Sequence, residues 1–237
     1  MLTSVAGVLL AAGEGSRLGR PKALVELDGQ TLAERGVAML RAGGADPILV
    51  VTGAAEIQLR GTHTVHNREW RTGMGSSLRA ALRVLDQAGQ PGLTGKPDRA
   101  AGELPADVGA AVVALVDQPL VGAQAVARLI AAYRRGASVA VAAYGGKPRN
   151  PVLLAREHWP EVIATAAGDA GARPFLRSRA DLVTLVECAD TGSPDDIDTA
   201  ADLARIAGLA ARPDRPLPAL RASGRLNRRS PGCPRCA

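Results

Sequence analysis

Apolar and polar positions alternate along this chain in two different periods. The stretch "VAGVLLAA" (5–12) is a continuous apolar run rich in Val and Leu, the pattern of a strand buried on both faces. "PILVVTG" (47–53) and "AAVVALV" (110–116) repeat it, and "SVAVAAY" (138–144), "PVLLA" (151–155) and "DLVTLVECA" (181–189) also read as strands. "THTVHN" (62–67) reads as a short one. Between them lie segments of helical period. "QTLAERGVAMLRAGG" (30–44) places Leu32, Val37 and Leu40 at helical spacing and ends in a glycine pair. "GSSLRAALRVLD" (75–86) puts Leu78, Leu82 and Leu85 on one face and Arg79, Arg83 and Asp86 elsewhere. A further helix is predicted near 122–135. "TAADLARIAGLA" (199–210) closes the series, with Thr199 and Asp202 in the capping-box pattern.

Alternating strands and helices predict an α/β fold: a Rossmann-like, mostly parallel open sheet with helices on both faces. Such sheets bind ligands beyond the carboxyl ends of their strands. Two parts stand outside this pattern. Residues 89–109 are rich in Gly and Pro without periodicity, which predicts a long surface loop. The chain is therefore divided into a domain over 1–210 and an Arg/Pro-rich tail over 211–237, expected to be disordered.

Composition changes this picture in one respect. The net charge is +6, which at first suggests nucleic acid. Residues 212–237, however, hold seven arginines and one acid, so that segment carries the whole excess. Aromatics make up 2% of the chain, too few for base-stacking platforms. Neither nucleic acid nor membrane is expected as a partner. No apolar stretch approaches the ~20 residues needed to span a bilayer, and a cytoplasmic location is expected. The three cysteines, Cys188, Cys233 and Cys236, make no disulfide framework. Cys233 and Cys236 are half of a zinc site without a second pair, and His63, His66 and His158 lack ligand spacing.

The chemistry concentrates in "LLAAGEGSRLGRPK" (9–22), where the first strand runs into glycines. Three phosphate-binding readings compete. A Walker loop needs Lys directly before Ser or Thr, whereas Lys22 lies between Pro21 and Ala23. A dinucleotide fingerprint needs G-x-G-x-x-G and an acid about 20 residues on. Here Gly13, Gly15 and Gly19 have the wrong spacing, and the second strand ends "VVTG". The third reading is a nucleotidyltransferase turn. Glycines admit a triphosphate to backbone N–H groups. Arg17 supplies a forked contact to phosphate oxygens, and Pro21 stiffens the exit that aims Lys22.

The fixed order G-x-G-x-R-x-G-x-P-K resembles the signature of the MobA-like NTP transferases. "NREWRTGMGSSL" (67–78), "LVDQPLV" (115–121), "GDAGARPFL" (168–176) and "DIDTAADL" (196–203) narrow the resemblance to the molybdenum cofactor cytidylyltransferases. That resemblance implies a nucleotide-diphospho-sugar-transferase type of fold and a set of site residues. Lys22, Arg17 and Asp117 would be catalytic. Leu10, Ala11, Ala12, Gly13, Gly15, Ser16, Arg17 and Lys22 would bind the nucleotide, together with Asn67, Gly73, Gly75, Ser76 and Ser77. Asp117 and Asp198 would hold Mg²⁺, with Asp196 as the substitute for Asp198. Gly168, Asp169 and Arg173 would face the acceptor.

Plainer readings stand beside these. Asp117 precedes Pro119 at a turn, Asp198 is placed to cap a helix, and Trp70 fits core packing as well as a substrate wall. Ala12, in "LAAG", matches relatives that use a pyrimidine triphosphate, which favours CTP. Asn150, Val116 and Leu18 depart from the family's usual residues, without removing a charged group from the proposed centre.

The implied reaction transfers CMP from CTP to a molybdopterin-type acceptor, with a molybdenum hydroxylase apoenzyme as eventual recipient. Alternatives are the same transfer with another NTP or acceptor (a sugar phosphate or phospholactate), a non-catalytic cofactor chaperone, and an NAD(P)-binding oxidoreductase.

Overall fold

The computed structural model describes residues 3–88, 96–97 and 103–210. The tail over 211–237 and most of the Gly/Pro-rich stretch lie outside these residues. In chain order the strands are β1 (Ser4–Leu10), β2 (Glu26–Leu27), β3 (Gln30–Thr31), β4 (Ile48–Thr52), β5 (His63–His66), β6 (Lys96–Pro97), β7 (Val108–Leu115), β8 (Val139–Tyr144), β9 (Lys147–Ala155) and β10 (Val183–Glu187). The α-helices are α1 (Leu32–Ala42), α2 (Met74–Asp86), α3 (Ala123–Arg134), α4 (Trp159–Thr165), α5 (Arg173–Ser178) and α6 (Ala200–Ala210).

Eight strands form one sheet in the order β10-β8-β9-β7-β1-β4-β5-β6. The pairs β7/β1, β1/β4, β4/β5 and β10/β8 are parallel. β9 runs antiparallel between β7 and β8, and β6 runs antiparallel to β5. The apolar runs are explained by burial on both faces. Along β1, Val5 and Leu9 join one core, while Ala6, Val8 and Leu10 join the other. The first core also takes Leu32, Val37 and Leu40 of α1, Val126 and Leu129 of α3, and Ile206 of α6. The second takes Leu78, Leu82 and Leu85 of α2, with Trp159 and Phe175 from α4 and α5. Each fully buried leucine contributes about 1.5–3 kcal/mol of burial free energy.

Helix starts follow local chemistry. Thr31 caps α1: its side chain accepts from Glu34 N, and the Glu34 carboxylate accepts from Thr31 N at 2.8 Å. Thr199 and Asp202 form the same reciprocal pair at the start of α6. β1 is flanked by β4 on one side and β7 on the other, so the connections out of the sheet's centre diverge there. A crevice opens at such a switch point, beyond the carboxyl ends of the strands. Among the described residues no helix is long and apolar enough to cross a membrane.

Candidate active site

Leu10 and Leu115 are register partners at the ends of β1 and β7, and Val116 N donates to Leu10 O. The glycine turn and the Asp-Gln-Pro stretch therefore leave the sheet side by side. Gly15 and Gly19 both adopt positive φ, 62° and 69°. At Gly15 a Cβ would collide with the carbonyl of Arg20, so the missing side chain lets the turn fold back on itself. Pro21 then precedes a short 3-10 turn over Lys22–Leu24, which buries Ala23 and turns Lys22 inward. The Lys22 side chain is 17% exposed.

Its ammonium donates to Asp117 Oδ2 at 2.7 Å and to Asp198 Oδ1 at 2.5 Å. Arg17, largely exposed, lies 3.3 Å from Asp198 Oδ2. Burial opposes the Lys22 charge, but Asp117 and then Asp198 outweigh it and raise the pKa above the ordinary lysine value. The hydrogen bond from Lys22 in turn holds the Asp198 carboxyl below the usual aspartate range, with the Lys22 and Arg17 charges adding to it. Thr199 and Asp202 cap α6, which leaves the Asp198 side chain to Lys22. Asp196 points elsewhere: its Oδ1 accepts from Gln118 Nε2 at 2.8 Å.

A cavity of about 480 Å³ opens beside this cluster. One wall is formed by Leu10, Ala12, Gly13, Glu14, Lys22 and Asp117, and the other by Trp70, Arg71, Gly73, Met74, Ser77 and Asp169. Gly53, where a dinucleotide fold would have its ribose-binding acid, instead admits Trp70. A Cβ at that position would lie 2.6 Å from Trp70 Cβ and 2.9 Å from Ala12 Cβ. Arg71 stacks its guanidinium 4.4 Å from the Trp70 ring centroid.

The remaining predicted residues divide. Asn67 is buried, and its amide donates to Ser76 Oγ at 2.8 Å and Ser77 Oγ at 3.0 Å. Ser76 also lies 2.8 Å from Gly73 O, so both groups serve the turn into α2, and Ser77 carries the network to the cavity. Gly75 is buried against the backbone of Ala167 and does not line the cavity. Asp169 does line it, and its Oδ1 lies 3.4 Å from Met74 N, the first residue of α2. Gly168 packs against Gly73. Ala11 turns into the sheet's first core, Ser16 is exposed on the turn, and Arg173 is exposed at the start of α5 outside the cavity lining. Glu14, Arg71 and Met74 were not singled out in the sequence. Glu14 lies inside the glycine signature, and Arg71 and Met74 lie inside the second motif.

Among the described residues no group of three or more His, Cys, Asp or Glu stands close enough to hold a metal ion. The paired carboxylates Asp117 and Asp198 still meet one cation, the ammonium of Lys22.

Comparisons with known proteins agree with this architecture. The nicotine blue oxidoreductase of Paenarthrobacter nicotinovorans is 36% identical over 219 residues, which is 86% of this chain and 97% of that protein. The crystal structure of a homologue of Mycobacterium tuberculosis Rv0371c, from Mycobacterium sp. strain JC1, is 31% identical. It superposes with a TM-score of 0.67 over 88% of this chain and 97% of that one. Rv0371c from M. tuberculosis H37Rv in complex with manganese is 25% identical, with a TM-score of 0.63 over 87% of this chain and 99% of that one. The model of the MobA-like NTP transferase domain matches residues 7–183, a span that holds the glycine turn, Lys22 and Asp117 and ends before Asp198. The chain belongs to the MobA-like NTP transferase family.

Proposed function

We propose that this protein is a magnesium-dependent nucleotidyltransferase that moves CMP from CTP to a phosphorylated acceptor of the molybdopterin type and releases pyrophosphate. A molybdenum hydroxylase apoenzyme is the proposed recipient of the product. One observation carries the reading: Lys22, delivered by a glycine-rich turn, meets Asp117 and Asp198 at the switch point of the sheet.

The donor set fits magnesium. Two carboxylates with hard oxygens approach one cationic centre, and Mg²⁺ takes few protein carboxylates, leaving its other positions to water and phosphate. Asp117 and Asp198 would hold it. When bound, the ion neutralises the triphosphate and orients its oxygens. The chain's own groups do the rest. Gly13 and the amides that follow it receive the phosphates, and Arg17 and Lys22 balance negative charge on the leaving pyrophosphate and the α-phosphate. Ala12, Trp70 and Ser77, which all line the cavity, would contact the nucleoside. Asp169, which lines the cavity, would meet the acceptor, with Gly168 and Arg173 of the same motif proposed beside it.

In the reaction an acceptor phosphate oxygen forms a bond to the α-phosphorus of CTP, and the bond from that phosphorus to the bridging oxygen of pyrophosphate breaks. The attacking oxygen is already ionised near neutral pH, so no protein base is required. Catalysis rests on positioning and charge stabilisation.

The test is pyrophosphate release with CTP, GTP, ATP or UTP, each with molybdopterin, a sugar phosphate or a phosphorylated alcohol, with and without Mg²⁺. Mg²⁺-dependent release with CTP and molybdopterin is the expected result. Release with another pair reassigns the base or the acceptor.

The oxidoreductase relative supports a second reading, in which a nicotinamide dinucleotide occupies the same glycine turn. Oxidation of NADH or NADPH with nicotine blue as the acceptor, with no pyrophosphate release under any pairing, would favour it. The packing of Trp70 against Gly53, where the ribose-binding acid would stand, weighs against it.

A further inference from the structure

We infer that Gln118 is a positioning residue that fixes Asp198 opposite Asp117, an inference that rests on the metal reading above. Asp198 reaches the site on a return segment that follows β10 and carries no regular structure until α6. That segment lies along residues 117–122 through a ladder of short contacts. Gly122 and Gly192 let the two backbones touch: a Cβ on either would collide with the carbonyl of Thr191 or of Leu120. Ser193 N donates to Leu120 O at 3.0 Å. Gln118 Nε2 donates to Pro194 O at 3.2 Å and to Asp196 Oδ1 at 2.8 Å. Ile197 N donates to Asp117 O at 2.8 Å, and the Ile197 side chain is fully buried in the first core. The next residue is Asp198, which meets Lys22.

Gln118 is the side-chain rung of this ladder. It is 7% exposed, and both groups its amide nitrogen faces are acceptors, which fixes the amide's orientation. Its hold on Asp196 and the burial of Ile197 leave Asp198 as the carboxylate presented to Lys22. Without the amide, the segment keeps Ile197 as its anchor beside Asp117 but loses the contact that sets its angle. Loss of a group that orients a metal ligand typically weakens metal affinity ~10–100-fold.

The experiment measures Mn²⁺ binding to the full chain by electron paramagnetic resonance of the free ion, with melting temperature recorded for each variant. Gln118→Leu is expected to bind Mn²⁺ at least roughly tenfold more weakly while it still melts cooperatively. Gln118→Glu places two carboxylates face to face and is expected to be as weak. Adding Asp196→Asn to it reverses donor and acceptor at constant charge, and is expected to recover a large part of the affinity. A merely structural role predicts no such rescue.

Wild-type affinity in Gln118→Leu, or weak binding in the double variant at a normal melting temperature, overturns the inference alone. If Gln118→Leu fails to fold, the single and double swaps decide it. If the wild type binds no Mn²⁺ that Asp117→Asn abolishes, the metal reading falls and this inference falls with it.

Discussion

Lys22 bridges two carboxylates with one ammonium, the place a divalent ion would contest. Its pKa is raised despite burial, so it stays charged at neutral pH and offsets part of the pair's negative charge when no metal is bound. The same charge must turn to the triphosphate during reaction. These two duties predict opposite effects from one substitution. Lys22→Met is expected to lower turnover ~10²–10³-fold, because a transition-state stabiliser is lost. It is also expected to tighten binding of Mn²⁺ alone, because the competing cation is gone. Pyrophosphate release and a Mn²⁺ titration check the two halves, and weaker Mn²⁺ binding in the variant would count against competition. At this scale the sequence was informative where residue type and order carry the chemistry. Lys22 and Gly13 stand out because a strand end, a glycine frame and basic residues in fixed order coincide, and Asp117 because it directly follows a buried apolar run. Asp198 reads as a candidate helix cap beside the Thr199–Asp202 capping-box pattern, and the folded chain shows that this pair caps α6. Gln118 has no signal beyond its place in the Asp-Gln-Pro motif, since its partners come from the far end of the domain.

Elements with a strong internal period were legible, and those held by tertiary contact were not. The runs that became β1, β4, β7 and β8 are apolar because both faces are covered. α4 and α5, at 7 and 6 residues, are too short to show a period and persist through buried Trp159 and Phe175. The β2–β3 hairpin did carry a signal: Asp28 and Gly29 both take positive φ in a two-residue turn, the geometry that Asp-Gly favours. The reversal of β9 was not legible, because an apolar run does not encode strand direction. The capping boxes give a prediction at this scale. Thr31→Ala is expected to cost ~1 kcal/mol in denaturant unfolding, through loss of the α1 cap. The pKa of Glu34 is lowered, first by the backbone N–H of Thr31 and then by its hydroxyl. A lowered carboxyl adds stability above its unfolded pKa and loses it as pH falls through the folded value. Glu34→Gln keeps an acceptor that does not titrate. Its unfolding free energy should therefore fall less steeply than the wild type's as pH drops below the ordinary glutamate range.

Over the whole molecule, the candidate site joins three parts of the chain that the sheet alone does not hold together. The glycine turn and the Asp117 stretch leave β1 and β7 as neighbours in register. The far wall comes from α2 and the 167–169 segment, whose connection is a close backbone packing. Gly75, buried in the first turn of α2, lies against the backbone of Ala167, where a Cβ would stand 2.7 Å from its nitrogen and 2.9 Å from its Cα. Backbone cannot yield as a flexible side chain would, so Gly75→Ala must push the segment outward or shift the helix. Overpacking of this kind costs roughly 1–3 kcal/mol. The displaced segment carries Asp169, which spans from the cavity to the start of α2. The predicted outcome is a lower melting temperature with a raised KM for the acceptor and a smaller rise in KM for the nucleotide, whose phosphates rest on the glycine turn and Lys22 while Ser77 of α2 reaches only its nucleoside. Steady-state kinetics with each substrate varied in turn measures the split. An equal rise in both constants would mean that the two walls are not mechanically separate, and that α2 positions the nucleotide as much as the acceptor.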